Sequence, residues 1–242
     1  MFDTLTLALI LIPCLIVAIV FHEVAHGWTA LALGDTTARD MGRLTLNPIK
    51  HVDPVGTLLV PGALALFGGP IFGWAKPVPV NARRLDNPRY GMMAVAAAGP
   101  GTNFVLAAIG AVILGLALPQ PWNVWQGGPV GMMVIENGLG ATQVIATGMM
   151  YFIAINIFLG LFNLLPIPPF DGSHIVGGLL PGRWALSWQK LQAMGMLLLF
   201  VLIAATWAFP DAQWIANLIY PPVEWLLDKY FAVAEYISRA IA

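Results

Sequence analysis

Apolar residues in this chain fall in long blocks, without the one-sided stripe of a soluble helix or the alternation of a half-buried strand. Residues 5–33 form the first block, with Pro13 as its one proline and Gly34, suited to a left-handed helix end, just after it. As a helix it would run about 43 Å, more than the ~30 Å hydrocarbon layer, so it must tilt or protrude. Further blocks at 92–118, 139–165 and 191–209 are each long enough to cross. Four crossings are the minimum.

Two segments fit less simply. Residues 55–74 are apolar but carry Pro61, Gly62, Gly68, Gly69, Pro70 and Gly73, which suits a re-entrant loop or hairpin buried against helices. Residues 73–80 read as an edge strand, because Pro77 and Pro79 remove donors from one side while Lys76, Val78 and Val80 pair on the other. Residues 214–242 mix aromatic and aliphatic positions with Glu224, Asp228, Lys229, Glu235 and Arg239 and contain Pro221 and Pro222. They predict an interfacial amphipathic tail, with a fifth crossing as the alternative. The expected architecture is an all-α polytopic membrane protein with at least four transmembrane helices and a re-entrant or β-hairpin segment in the first cytoplasmic loop. It reads as a single membrane-embedded domain over 1–242, with a core at about 5–178 and a C-terminal helix and tail at about 184–242.

Composition agrees: 59% of the 242 residues are hydrophobic and 10% are charged, against about a quarter charged in soluble domains. The lipid bilayer is the expected environment, and no nucleic-acid partner is expected. A net charge of −1 says less than its distribution. Seven of the eleven basic residues, Arg39, Arg43, Lys50, Lys76, Arg83, Arg84 and Arg89, lie between Gly34 and Tyr90, whereas 119–138 has none. The first loop is therefore expected in the cytoplasm and the amino terminus outside, with Arg183 and Lys190 returning to the cytoplasm. Asp3 stands where a signal peptide would carry basic residues, so the first block is expected to be retained. Cys14, the single cysteine, excludes an intrachain disulfide and a Cys-based metal cluster.

The chemistry concentrates in His22-Glu23-Val24-Ala25-His26. Residues four apart share a helix face, so both imidazoles can bind one zinc ion while Glu23 addresses the water beside it. Ionisable groups inside a membrane helix are costly and mark function by default. A catalytic zinc site needs a third protein ligand and an open position. No further histidine follows at short spacing, so that ligand must come from elsewhere. Asn163-Leu164-Leu165-Pro166-Ile167-Pro168-Pro169-Phe170-Asp171-Gly172 follows the third block, and its prolines forbid continued helix. Such backbone survives near membrane depth only when packed on protein or lining a wet cavity, which would present Asp171 as a carboxylate ligand. An Asp-Gly turn or helix cap is the simpler reading of Asp171 taken alone.

His22-Glu23-x-x-His26 with Asn163-x-x-Pro166-x-Pro168-x-x-Asp171-Gly172 resembles the paired signature of the site-2 proteases, intramembrane zinc metalloproteases. The second motif matches at all six named positions, and the likeness covers roughly 5–178, as in short family members without a PDZ or CBS domain. The resemblance implies one Zn²⁺ per chain held by His22, His26 and Asp171, Glu23 as general base, and Asn163 contacting substrate or the oxyanion. It implies hydrolysis of peptide bonds in transmembrane protein or peptide substrates, with a zinc-bound water as nucleophile, in a prokaryotic cell membrane with the site toward the cytoplasm. It also suggests that residues 73–80 hold an unwound substrate as an added strand, where the plainer reading is a strand closing a hairpin. Asn103, in Ala98-Gly99-Pro100-Gly101-Thr102-Asn103, lies in a segment that borders the active site in that family. Helix packing explains its glycines equally well. His51 and His174 are candidate substrate-contacting or hydrogen-bonding residues, and His174 is the first substitute should Asp171 bind no metal. A catalytically silent metal-binding scaffold and a cation transporter are the competing classes. The intact Glu23 argues against the first, and the confinement of ionisable groups to two motifs argues against the second.

Overall fold

The computed structural model describes residues 4–66, 73–117, 124–126, 133–135, 141–208 and 214–241. Its helices are α1 (Thr4–Ala32), α2 (Thr37–Asp40), α3 (Val60–Leu66), α4 (Pro88–Ala117), α5 (Ala141–Asn163), α6 (Asp171–Leu179), α7 (Gly182–Ala193), α8 (Gly195–Ala208) and α9 (Trp214–Ile241). Among the described residues α1, α4 and α5 are long and apolar enough to cross a membrane, and a fourth span results if α7 and α8 are counted together. Leu5, Leu9, Ile12 and Ile16 on α1 are exposed, a contiguous apolar face that suits lipid and not water. This is an integral membrane protein.

The block at 191–209 departs from a single straight crossing. α7 and α8 meet at a 62° bend, and α8 has 14 residues, about 21 Å and short of the hydrocarbon thickness. The break falls at Met194, and at Gly195 just after it an added Cβ would sit 3.1 Å from Pro169, so the chain bends beside its close approach to the proline-rich loop.

Compact packing divides the chain into two units. The first comprises residues 1–18, 103–160 and 219–242. Ala107, Ala111, Leu114, Ala146, Met150, Ile153 and Ala234 are buried in it. Glycines bring its elements close: a Cβ at Gly110 would sit 3.0 Å from Ile153, and one at Gly115 would sit 2.6 Å from the Ala234 carbonyl. Val124–Gln126 pairs antiparallel with Met133–Ile135 in the second connection. α9 carries a charged face, with Arg239 paired to Glu235 and Lys229 over the Trp225 ring.

The second unit comprises residues 19–102 and 161–218. α1 ends in a left-handed turn at Gly34 (φ 98°), where the Asp35 amide donates back to the Ala30 carbonyl at 2.9 Å. Ala30, Leu85 and Val95 form a small core with Leu33, Val80 and Met92. In the first connection Pro54–Leu59 forms a π-helical turn that runs into α3. The expected re-entrant segment continues through 67–72, which lie outside the described residues.

No paired strand occurs in this connection among the described residues, a departure from the edge strand expected at 73–80. The backbone there is extended, but its donors go to separate acceptors: Trp74 to the Gly56 carbonyl (3.0 Å), Lys76 to the His51 carbonyl (2.9 Å) and Val78 to the Glu23 carboxylate (2.8 Å). These alternate positions face one way, as in a strand, and Arg43 closes the same side by donating to the Lys76 carbonyl at 2.9 Å. Pro77 and Pro79 have no N–H to offer the other side.

Buried Asp35 ties this segment to the end of α1. It accepts from the Thr37 amide (3.0 Å), the Thr37 hydroxyl (2.5 Å) and the Asn81 amide (2.6 Å). Burial opposes its ionisation, but these bonds and nearby Arg84 outweigh burial and hold its pKa below the ordinary 3.8. A lowered folded-state pKa means that the stabilisation is complete above 3.8 and is lost as pH falls through the folded value. Asp35→Ala should cost about 1–3 kcal/mol at neutral pH, because it strands buried donors. The loss should shrink below pH 3.8, which melting curves in detergent at pH 7 and pH 3 would read.

Candidate metal centre

His22 and His26 lie one turn apart on α1, both buried. Asp171 reaches them from the first position of α6. Gly172 behind it has no Cβ because one there would strike the Leu164 carbonyl, so the Asp-Gly pair lets the loop fold back on itself before α6 starts. Arg89 holds the other end of α6, donating to the Gly178 carbonyl at 2.6 Å and the Leu180 carbonyl at 2.7 Å. At its start the Trp188 indole and the Gln192 amide, both on α7, donate to the Ser173 carbonyl at 2.7 and 3.1 Å.

His22 Nε2, His26 Nε2 and Asp171 Oδ2 form a triangle with edges of 3.0, 3.1 and 3.3 Å. Tetrahedral zinc with bonds of 2.0–2.1 Å places its ligand atoms roughly 3.3 Å apart. His26 Nδ1 bonds the Val95 carbonyl at 2.7 Å, which orients the ring and turns Nε2 into the triangle. Asp171 Oδ2 is buried without a hydrogen bond. Two imidazole nitrogens and a carboxylate oxygen gathered this closely offer a cation three ligand atoms, and two His with one carboxylate suit zinc. Burial alone would raise the Asp171 pKa, but His22 and then His26 beside it hold the carboxyl well below its usual range, as an anion. α4 backs the imidazoles through Gly99: a Cβ there would lie 2.5 Å from His26 Cε1 and Nε2 and 2.6 Å from His22 Cε1.

Glu23 is not part of the ligand triangle. Its Oε2 accepts from the Val78 amide at 2.8 Å. Asn163, half-buried, closes α5 just before the loop that carries Asp171. The structure does not gather the remaining candidates into the triangle. His174 lies one turn along α6, and its Nδ1 accepts from Gln192 at 3.3 Å. Burial lowers its pKa and keeps it neutral. His51 is buried in the first connection, with Nε2 bonded to the Thr45 carbonyl at 2.8 Å. Asn103 belongs to the first unit, where its amide donates to the Ala18 carbonyl (3.3 Å) and to Asn156 Oδ1 (2.9 Å). Asn156 donates in turn to the Phe152 carbonyl at 2.8 Å, so this fully buried pair ties α1, α4 and α5 together. Sequence reading did not single out Asn156, Val95, Gly99 or Arg89 for a role of its own. An Asn in an otherwise apolar span was the one signal available, since the other three act through a carbonyl, a missing methyl and a helix end.

Candidate membrane spans, a His-His-Asp group able to hold a metal ion and an adjacent glutamate are the parts of a membrane-embedded metallopeptidase. The profile of peptidase family M50 matches residues 10–205, and the chain belongs to that family, the site-2 protease family. It is 38% identical over 196 residues to YwhC of Bacillus subtilis (strain 168), described as a candidate zinc metalloprotease, covering 79% of this chain and 78% of that one. Rip2 of Mycolicibacterium smegmatis, described in the same words, is 26% identical over 235 residues, covering 93% of this chain and 75% of the relative. No solved structure matches. The chain is thus an intramembrane zinc metalloprotease and uses zinc.

The contact at Gly99 gives a test independent of the ligands themselves. Gly99→Ala should weaken zinc binding by about 10- to 100-fold, as loss of ligand support commonly does. Gly101→Ala, with nothing within 4 Å of an added Cβ, should leave zinc binding unchanged. Zinc content after dialysis against graded chelator would compare the two.

Proposed function

We propose that His22, His26 and Asp171 hold the zinc ion, that Glu23 is the general base, and that Asn163 donates to the developing oxyanion. The observation that carries this reading is the triangle of 3.0–3.3 Å between three metal-binding atoms, with a carboxylate on the adjacent residue that stays outside it. Bound zinc supplies Lewis acidity, lowering the pKa of a coordinated water to about 7 and polarising the scissile carbonyl. Glu23 accepts a proton from the attacking water and returns it to the leaving amine. The peptide bond is hydrolysed without an acyl-enzyme, because the chain's own residues act only as ligands, base and donors. Asn163 is assigned by its motif position, and backbone amides would serve the oxyanion in the same way.

The substrate is a transmembrane segment that unwinds first, since the carbonyls of an intact helix are held in its own hydrogen bonds. Residues 73–80 are the proposed seat. Their inner edge is used up at Trp74, Lys76 and Val78, while the outer edge at Ala75, Pro77 and Pro79 offers three carbonyls and a single N–H. Such an edge takes the amides of an extended substrate and leaves most of its carbonyls unpaired, one of them for hydrolysis. The seven basic residues between Gly34 and Tyr90 support a site on the cytoplasmic side of the membrane. We read 1–242 as one proteolytic domain, with residues 55–74 re-entrant.

The deciding experiment measures zinc and cleavage on one purified sample with a transmembrane reporter peptide. Glu23→Gln should keep zinc and lose about 10²–10⁴ in single-turnover rate, because the amide cannot take the proton. Asp171→Ala should lose both zinc and cleavage. Zinc-loaded Glu23→Gln that cleaves at the native rate would sink the mechanism. Orientation is tested separately: in a Cys14→Ala background, Arg84→Cys should react with an impermeant thiol reagent only from the cytoplasmic face.

A further inference from the structure

Glu23 and Gly27 lie four residues apart and therefore on one face of α1. A Cβ at Gly27 would meet Val78 Cγ1 at 2.9 Å and would strike the Leu44 side chain. The missing methyl group lets buried Val78 nest directly on the helix. That nesting brings the Val78 amide within 2.8 Å of Glu23 Oε2.

The segment is locked in this register from both sides. Trp74 and Lys76 are tied at alternate positions, and Arg43 holds the Lys76 carbonyl. A slip of one residue either way would put Pro77 or Pro79 opposite Glu23, and neither has an N–H. Val78 is thus the residue in the run Pro77-Val78-Pro79 able to serve the carboxylate at all.

We propose that the Val78 backbone amide is a positioning group for Glu23, seated by the cavity that Gly27 leaves in α1. The amide engages Oε2 and fixes the plane of the carboxylate, so that Oε1 is the oxygen that takes the proton. Two pieces of the protein divide the work: α1, α4 and α6 hold the metal ligands, whereas the extended wall of the first connection aims the base. The inference rests on the general-base assignment of Glu23 and adds a dependence of that base on the segment proposed as the substrate seat.

The test uses the full chain in detergent or vesicles with the same reporter peptide. Val78→Pro deletes the N–H. It should lower kcat about 10- to 100-fold, the cost of a small misplacement of a reacting group, with zinc content and KM unchanged. Gly27→Ala should produce the same loss by pushing Val78 off the helix. Val78→Ala, the conservative variant that keeps the N–H and removes the clashing methyl, should rescue Gly27→Ala at least in part. Native kcat in zinc-loaded Val78→Pro overturns the proposal. A raised KM with native kcat, or a loss that follows lost zinc, overturns it as well, since Val78 would then serve substrate or metal and not the base. Should Val78→Pro fail to fold, the Gly27→Ala rescue decides: restored kcat supports the proposal, and absent rescue in a folded, zinc-loaded double variant rejects it. Failure here leaves Glu23→Gln inactive, whereas failure of the general-base reading leaves Glu23→Gln active, so the two are told apart.

Discussion

The proximity of His26 Nε2 to Asp171 Oδ2, buried and 3.3 Å apart, is the constraint around which the second unit is built. Two such groups need a proton or a metal ion between them, and burial magnifies the penalty of having neither. Several otherwise unremarkable features exist to hold them there. The Val95 carbonyl orients the His26 ring, Gly99 gives the imidazoles room against α4, and Arg89 with Trp188 and Gln192 grips α6 near its two ends. The candidate metal site is therefore a product of three helices, although one of them supplies two of its three side chains.

Bringing α6 to α1 requires a loop that leaves helical structure beside a membrane span, where unsatisfied backbone is expensive. The run from Pro166 to Pro169 reduces that cost by carrying three prolines, each with one amide fewer to satisfy. The amides that remain are answered locally: Phe170 donates to Ile167, and Ser173 to Phe170, both at 3.0 Å. Residues 73–80 solve the same problem differently. Their prolines face outward, and each inward amide finds its own acceptor in a turn or a side chain.

The legible and illegible parts of this protein separate by physical type. Periodicity and residue identity revealed what side chains do over short range: the apolar spans, the i,i+4 histidines, Gly34 as a helix end, and the proline-bounded Asp171. Contacts made by backbone atoms were not legible, because a carbonyl at Val95 leaves no pattern in the chain; the small-residue segment around Gly99 was legible, but not which side chains it would back. The bend in the fourth block was not legible for a related reason, since Gly195 beside the break packs on Pro169, which is distant in sequence. Residues 73–80 had the right alternation but not a neighbouring strand, which alternation alone does not specify. Asn103 was recognised as a polar group needing a partner, and that partner, Asn156, belongs to another span.

The three gathered side chains and the Glu23 carboxylate are held by different backbone. His22, His26 and Asp171 sit on helices, whose hydrogen bonds fix them. Glu23 shares α1 with two of them, yet its carboxylate is reached by a non-helical segment that a helix cannot replace, because helical amides beyond the first turn are already committed to their own carbonyls. An extended segment keeps its alternate amides available, and prolines on the other edge keep it from being consumed as an ordinary sheet strand.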